Sequence, residues 1–349
     1  MATARTAPSG RAGRGRRRRG LTVAVTGPTG TFGAGLLPLL EADDRVDRVV
    51  GVARRPFDPA ARGWTKMEYR RGDVRDPEVL EEAFAGADVV VHLAFLITGT
   101  SGREVTRAVN VEGSLNVVRA AAAVGARRLV YASSVAAYGF HADNPVGLTE
   151  DWPTRPAARL FYAQEKAELE RLLGEEVDAL PDLDLFLLRP PIVLGPHAVG
   201  GKELPAPLMA LGRAAAGLLD RLPVALPVPA PAIPIQLVHE DDVGRALQLC
   251  VVGAGPPGAY NIAGDGVVTG ADVARELGLT PLPVPAGVAH RVARGLAALP
   301  APPFLPPVLD WVEAGAQPSI MDTTKARELL GWEPRVTALE ALRSTLHPD

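Results

Sequence analysis

Tyr162 and Lys166 lie four residues apart in Phe161-Tyr162-Ala163-Gln164-Glu165-Lys166, so on a helix both side chains leave the same face one turn apart. The chain has only five tyrosines and four lysines, and such a pair is not expected by chance even once. A phenol near an ammonium has its anion stabilised and its pKa lowered, which suits it to exchange a proton with a secondary alcohol or ketone. Ser134, which follows the apolar run Arg128–Ala132, is placed to hydrogen-bond the same substrate oxygen. The bland alternative is an exposed helical turn beside an ordinary strand-end hydroxyl.

A second constellation is Thr26-Gly27-Pro28-Thr29-Gly30-Thr31-Phe32-Gly33. Glycines at this spacing let the chain turn tightly and let backbone N–H groups approach a pyrophosphate, whose charge the N-terminus of a following helix favours. In a chain with 36 glycines the spacing alone is weak, so the strand pattern before it and the helix pattern after it carry the inference of dinucleotide binding. The next apolar run ends Gly51-Val52-Ala53-Arg54-Arg55, without the acid that would grip the ribose hydroxyls of NAD. Two guanidiniums there can pair a 2′-phosphate through charge-assisted forks. NADP is therefore the expected cofactor, with NAD the alternative and two solvated loop arginines the bland reading. Asp73, in Gly72-Asp73-Val74-Arg75-Asp76, is placed near the adenine, and Val91-His92-Leu93-Ala94 ends a strand where a cofactor would pass.

Short apolar runs alternating with helical patterns must position these groups. Leu21–Thr26, Val46–Ala53, Val89–Ala94, Arg128–Ala132 and Leu183–Leu188 read as strands buried on both faces. Phe32–Ala42, Pro77–Phe84, Arg103–Val124 and Phe161–Val177 read as the helices between them, and Pro38 is expected to kink the first. The alternation predicts an α/β fold, a doubly wound parallel sheet with a smaller C-terminal substrate lobe. The expected division is a basic tail at 1–20, a Rossmann domain at 21–190 to which parts of 236–262 return, and a lobe at 191–349. Five prolines between Leu222 and Val238 predict an extended loop rather than a membrane helix. A proline-rich stretch at Pro300–Pro307 follows a segment with the pattern of a short amphipathic helix.

Composition narrows the classes. The chain has 349 residues, 47% hydrophobic and 22% charged, as expected of a globular protein with a sizeable core. A single cysteine, Cys250, excludes a disulfide framework and cysteine-based metal sites. His92, His197, His239 and His290 show no metal-ligand spacing, and no G-x-S-x-G elbow supports a hydrolase. The net charge of −3 hides an uneven distribution: the first twenty residues hold seven arginines and no acid, leaving −10 on the body. An acidic body argues against nucleic-acid binding by the folded part. The tail lacks the apolar stretch of a secretion signal and is expected to be solvated and dispensable. A cytoplasmic protein without membrane attachment is expected; a homodimer is one option for its assembly.

From Leu21 to about Leu346 the chain resembles the extended short-chain dehydrogenase/reductase superfamily, specifically the NAD-dependent epimerase/dehydratase family. The ordered series that carries the resemblance is Thr26–Gly33, Gly72–Asp76, His92–Ala94, Asn110–Gly113, Ser133–Gly139, Tyr162–Lys166, Arg189–Pro196, Val238–Val243 and Asp322–Pro334. It implies Tyr162 as acid/base, Lys166 bridging to the nicotinamide ribose, Ser134 as substrate donor and Asn110 as a structural residue near the cofactor. It also implies cofactor contacts at Gly27, Thr29, Gly30, Thr31, Phe32, Gly33, Val74, Leu93, Ala94, Pro190 and Val193. Two departures stand out. Ala53 occupies the place of the usual acid of NAD-binding members. The stretch Pro231–Gln236 lacks the arginine that nucleotide-sugar members carry for substrate phosphates.

Three functional classes follow. One is an enzyme passing hydride between a nicotinamide and a secondary alcohol or ketone. The second is a nucleotide-sugar epimerase with retained NAD, and the third is a non-catalytic NAD(P)-binding sensor or scaffold. The intact Ser134, Tyr162 and Lys166 weigh against the third. A small or hydrophobic carbonyl or alcohol is the expected substrate, because Pro191–Pro234 offers only Lys202, Arg213 and Arg221 as cations among many apolar residues. Lys202 or Arg213 in place of the missing arginine would restore the nucleotide-sugar reading.

Overall fold

The computed structural model describes residues 20–97, 102–158, 160–198, 226–297, 317 and 319–347. In chain order its elements are β1 (Leu21–Thr26), α1 (Thr31–Ala42), β2 (Val46–Ala53), β3 (Met67–Arg71), α2 (Pro77–Phe84), β4 (Val89–His92), α3 (Arg103–Arg107), α4 (Gly113–Ala123), β5 (Arg128–Ala132) and α5 (Phe161–Asp178). Beyond these come β6 (Asp184–Arg189), β7 (Ile192–Leu194), β8 (Pro227–Pro231), β9 (Leu237–His239), α6 (Glu240–Val252), β10 (Gly258–Asn261), α7 (Gly270–Glu276), β11 (Thr280–Val284), α8 (Ala286–Ala297) and α9 (Ala338–Leu346).

Seven strands form one sheet in the order β10-β6-β5-β4-β1-β2-β3, parallel throughout. Alternate residues of each strand feed opposite faces. Val23 and Val25 join a core with Leu36, Phe186, Val243, Leu247 and Trp332 under α1 and α6, while Ala24 joins Val50, Leu80, Val117 and Leu169 under α2, α4 and α5. Burial on both faces is what the near-continuous Val, Ala and Leu content of the central strands demands.

The structure departs from the sequence reading at four places. β3 was not anticipated: it is the sheet edge, and Glu68, Arg70 and Arg71 leave it looking like surface chain. The single helix expected over Arg103–Val124 is interrupted by a π turn at Ala108–Glu112. α1 continues through Pro38, which sits on its exposed face, where the carbonyl left without a partner can meet water. The expected loop over Leu222–Val238 contains β8 and β9, which pair in parallel with β11 and β7. Pro227, Pro229 and Pro231 alternate along β8, so the missing donors all fall on one edge of a two-stranded sheet. The amphipathic segment before Pro300 is helical as α8, whereas Pro300–Pro307 lies outside the described residues.

Below the carboxyl ends of the strands runs a buried polar network. Arg189, at the end of β6, donates from Nε to Glu170 Oε1 at 2.9 Å and from Nη2 to Oε2 at 2.5 Å; both side chains are nearly inaccessible. Ser133 Oγ donates to the same carboxylate at 2.5 Å, and Arg189 Nη1 donates to the Tyr138 phenol at 2.7 Å. Tyr138 donates in turn to Asn261 Oδ1 at 2.8 Å. Burial alone would lower the Arg189 pKa, but the Glu170 hydrogen bonds and charge outweigh it and hold the value up. On the face covered by α1 and α6, Asp242 accepts from the Arg335 and Val336 amides at 3.1 Å, and Trp332 Nε1 donates to the Asp242 carbonyl at 2.9 Å, fixing the C-terminal segment to α6.

Removing one member of the buried pair leaves a stranded charge. Glu170→Ala is expected to cost about 3–5 kcal/mol in urea-unfolding experiments. A Glu170→Leu, Arg189→Met double variant is expected to recover much of that loss; a double variant no better than the single one would contradict the argument.

Candidate active site

The sheet order reverses between β1 and β4, and in an open α/β sheet the crevice beyond the carboxyl ends at such a point receives ligands. The glycine run turns from β1 into α1 there. Gly27 has φ +69°, and a Cβ on it would lie 2.7 Å from the Ala94 amide after β4. A Cβ on Gly33 would fall 2.0 Å from the Pro28 carbonyl oxygen. Gly30 is different: its nearest neighbour would be 3.6 Å away, so it opens onto free space. Gly30 is also the N-cap of α1, with no capping side chain on the first amides. A bare, uncapped 12-residue helix start beneath open space fits a dinucleotide pyrophosphate. Thr29 is exposed, Thr31 and Phe32 are half-buried, and Leu93 and Ala94 line the same turn from β4.

Arg54 and Arg55 follow β2 on the adjacent side, both exposed. Their carbonyls are engaged, Arg54 by Arg71 Nε at 3.0 Å and Arg55 by the Tyr69 phenol, but among the described residues neither guanidinium has a hydrogen-bond partner. Asp73 is partly committed: Arg75 donates to it at 2.8 and 3.1 Å and holds its carboxyl below the usual range, with Arg54 adding its charge. Val74 is buried beside it. Pro190 is buried, with its carbonyl taken by the Val135 amide at 2.9 Å, and Val193 is half-buried in β7.

The acid/base candidates converge from two segments of chain. Ser134 caps the short 3-10 turn Val135–Tyr138, where its Oγ accepts from the Ala136 amide at 3.2 Å, and it is hydrogen-bonded to the Tyr162 phenol. Tyr162 and Lys166 leave α5 one turn apart, as the spacing requires. Lys166 is buried: its Nζ donates to the Ala132 carbonyl at 2.7 Å and to the Tyr131 phenol at 3.0 Å. The face of Phe95 covers it, 3.7 Å from Nζ to the ring centroid, and Phe95 meets the Tyr162 ring edge-on at 5.7 Å.

Electrostatics here differ from the expectation of a phenol acidified by its lysine. Burial raises the Tyr162 pKa, against which the Ser134 hydrogen bond works, and the ammonium donates its hydrogen bonds to Ala132 and Tyr131. Burial also lowers Lys166 to about 7, while Glu170 and Glu165 pull it back up. Asn110 lies in the π turn and joins three pieces of chain. Its Oδ1 accepts from the Leu96 amide at 2.8 Å, and its Nδ2 donates to the Leu96 carbonyl at 2.9 Å and to Glu165 Oε2 at 2.7 Å. His92 is buried between Thr26 Oγ1 at 2.6 Å and Ser114 Oγ at 2.8 Å; burial first, then Lys166, lowers it to about 3, so it is a neutral tie between β1, β4 and α4.

The sequence reading did not single out Phe95 or Tyr131. Phe95 directly follows Ala94, but nothing in its spacing points to a lysine 71 residues later. Gln236, the last residue of the stretch Pro231–Gln236 that lacks the phosphate-binding arginine, is occupied: it donates to the Met321 carbonyl at 3.0 Å and accepts the Met321 amide at 2.8 Å. Lys202, Arg213 and Arg221 lie outside the described residues.

The chain is similar to known proteins along most of its length. An uncharacterized protein of Mycobacterium tuberculosis, Rv0501, is 29% identical over 332 residues, covering 91% of this chain and 81% of that one. Sterol demethylase protein B of Methylococcus capsulatus is 32% identical over 181 residues, covering 50% of this chain and 52% of that protein. Among solved structures, the Bordetella bronchiseptica enzyme WbmG in complex with NAD and UDP superposes with a TM-score of 0.67 at 19% identity, covering 95% of this chain and 94% of that one; this likeness shows the shared fold. The family model for the NAD dependent epimerase/dehydratase family matches residues 23–263, a span that runs from β1 through the glycine turn, Ser134, Tyr162 and Lys166 to the end of β10. The chain is an enzyme of the NAD dependent epimerase/dehydratase family.

Proposed function

We propose that the protein is an NADP-dependent oxidoreductase acting on a secondary alcohol or ketone, with Tyr162 as acid/base and Ser134 and Lys166 assisting. The observation that carries the reading is the hydrogen-bonded Ser134–Tyr162 pair beside the buried Lys166 ammonium, at the crevice entered by the glycine turn. When bound, the nicotinamide supplies or accepts the hydride. In the oxidation direction the Tyr162 phenol oxygen takes up the hydroxyl proton of the substrate; in the reduction direction it gives one. Ser134 donates to the same substrate oxygen and fixes its distance from Tyr162. The raised pKa of Tyr162 keeps the phenol protonated, which suits donation to a ketone. The positive charge of Lys166, held at the floor of the site, favours phenolate when oxidation requires it.

The cofactor preference rests on Arg54 and Arg55, exposed at the end of β2 where no carboxylate stands. The substrate class rests on the stretch Pro231–Gln236, which carries no cation and whose polar side chain, Gln236, is engaged with Met321. A small or hydrophobic carbinol fits better than a nucleotide sugar. The similarity to sterol demethylase protein B over half the chain supports an apolar substrate. The second reading, a nucleotide-sugar epimerase with retained NAD, is supported by the shared fold with an enzyme solved with NAD and UDP.

Tyr162→Phe removes one proton donor and little surface, so kcat is expected to fall roughly 10²–10⁴-fold while cofactor affinity measured by calorimetry stays within a factor of two. Unchanged kcat removes Tyr162 from the mechanism. NADP is expected to bind more tightly than NAD, and an Arg54→Ala, Arg55→Ala variant is expected to lose the difference; equal affinities in the parent protein would defeat the assignment. UDP, UDP-glucose and dTDP are expected to show no micromolar binding to the NADP-loaded protein. Saturable micromolar binding of any of them turns the reading to the epimerase.

A further inference from the structure

His197 was set aside in the sequence because it has no metal-ligand companions, yet its placement is specific. It sits three residues beyond β7 in Gly195-Pro196-His197, and the pairing of Leu194 with His239 brings this loop to the start of α6. There the carboxylate of Glu240, itself 2% exposed, receives both the His197 amide, at 3.2 Å, and Nδ1, at 2.6 Å. Gly195 makes room for the arrangement: its φ is +149°, and a Cβ on it would lie 2.6 Å from the Glu240 carboxyl carbon. The loop is tied on its other side to the cofactor turn, because Thr31 Oγ1 donates to the His197 carbonyl at 3.2 Å. Thr31 is the first residue of α1, the uncapped helix start described above.

A carboxylate accepts only, so Nδ1 carries a proton and the ring orientation is set by a buried acid. The imidazole is 54% exposed, and among the described residues its Nε2 has no hydrogen-bond partner. A buried carboxylate, a glycine that admits it and a backbone tie to Thr31 thus present one half-exposed imidazole beside the glycine turn.

We propose that His197 is a ligand of the cofactor pyrophosphate, donating from Nε2 to a phosphate oxygen, with Glu240 as its positioning residue. The inference rests on the dinucleotide reading of the glycine turn and adds to it a contact from the loop after β7, outside that motif. With Glu240 at Nδ1 and a phosphate oxygen at Nε2, both ring nitrogens act as donors.

The test uses ADP-ribose, which holds the pyrophosphate without the reacting ring, in calorimetric titration of the full chain. His197→Ala is expected to weaken ADP-ribose about tenfold, the net worth of a hydrogen bond to a charged group, and His197→Gln, which keeps a donor near the Nε2 position, to recover part of the loss. Both variants deprive the buried Glu240 carboxylate of its Nδ1 donor, so the ligand-free melting temperature is expected to fall alike in the two, and affinities are compared well below it. In the parent protein the ¹⁵N resonance of His197 Nε2 is expected to shift on adding ADP-ribose. Unchanged affinity in His197→Ala, or an unshifted Nε2 resonance at saturation, overturns the proposal while leaving the dinucleotide reading intact. If the parent protein binds none of ADP-ribose, NAD and NADP, the dinucleotide reading falls and this proposal falls with it.

Discussion

The buried Glu170–Arg189 pair is the constraint on which the geometry of the site depends. Two charges removed from water must meet each other in good geometry or destabilise the fold, and here each has further partners that occupy its remaining donors and acceptors. The pair joins α5 to the end of β6. Through Ser133 it holds the end of β5, and through Tyr138 it holds the 3-10 turn that Ser134 caps. Tyr162, Lys166 and Ser134 come from two separate segments of chain, and their mutual positions are set one helical turn below the site by this contact. Asn261 extends the same network to β10, where its Nδ2 donates to the Leu148 carbonyl at 2.9 Å and to the Asp322 carbonyl at 3.1 Å. Reactive groups are thereby supported from beneath by a polar layer, as preorganised sites require.

Lys166 illustrates what such a layer permits. Among the described residues its ammonium touches no carboxylate; a carbonyl, a phenol and an aromatic face surround it instead. Burial brings its pKa to about 7, and the nearby Glu170 and Glu165 pull in the opposite direction. The folded protein therefore binds fewer protons at this site than the unfolded chain between about pH 7 and the ordinary lysine value near pH 10. Its burial opposes folding at full strength below the folded value, and that opposition fades as pH rises toward the unfolded one. The fold tolerates this because the sheet and its two apolar cores supply the bulk of the stability. A lysine whose charge is so finely balanced responds strongly to any anion or hydroxyl brought near it.

Topology brings the rest together. A parallel sheet sends every strand's carboxyl end to one edge, so the turn after β1, the segment after β4 and the serine after β5 share one rim, to which the Thr31–His197 hydrogen bond ties the loop after β7, a strand that pairs with β9 outside that sheet. The two helices that cover one face, α1 and α6, deliver a helix start and Glu240 to that same rim. The fold thus converts separations of more than a hundred residues into single hydrogen bonds, such as Thr31 to His197.

Much of this was legible in the sequence where one residue window contains the cause. β1, β2 and β5 have the expected bounds because strands buried on both faces are apolar almost throughout, a property of five to eight consecutive residues. The helical spacing of Tyr162 and Lys166 likewise fixed the face they share. β3 escaped because an edge strand needs only one buried side, and β8 because prolines are compatible with a strand once every missing donor falls on an unpaired edge. What Lys166 touches, why Tyr162 has a raised pKa and where Nε2 of His197 lies were decided by the tertiary structure alone. Backbone periodicity determines the direction in which a side chain leaves its own element. Its partners, its exposure and therefore its charge depend on the elements packed opposite, such as Phe95 over Lys166 and Glu240 against His197, which only the pairing of distant strands brings within reach.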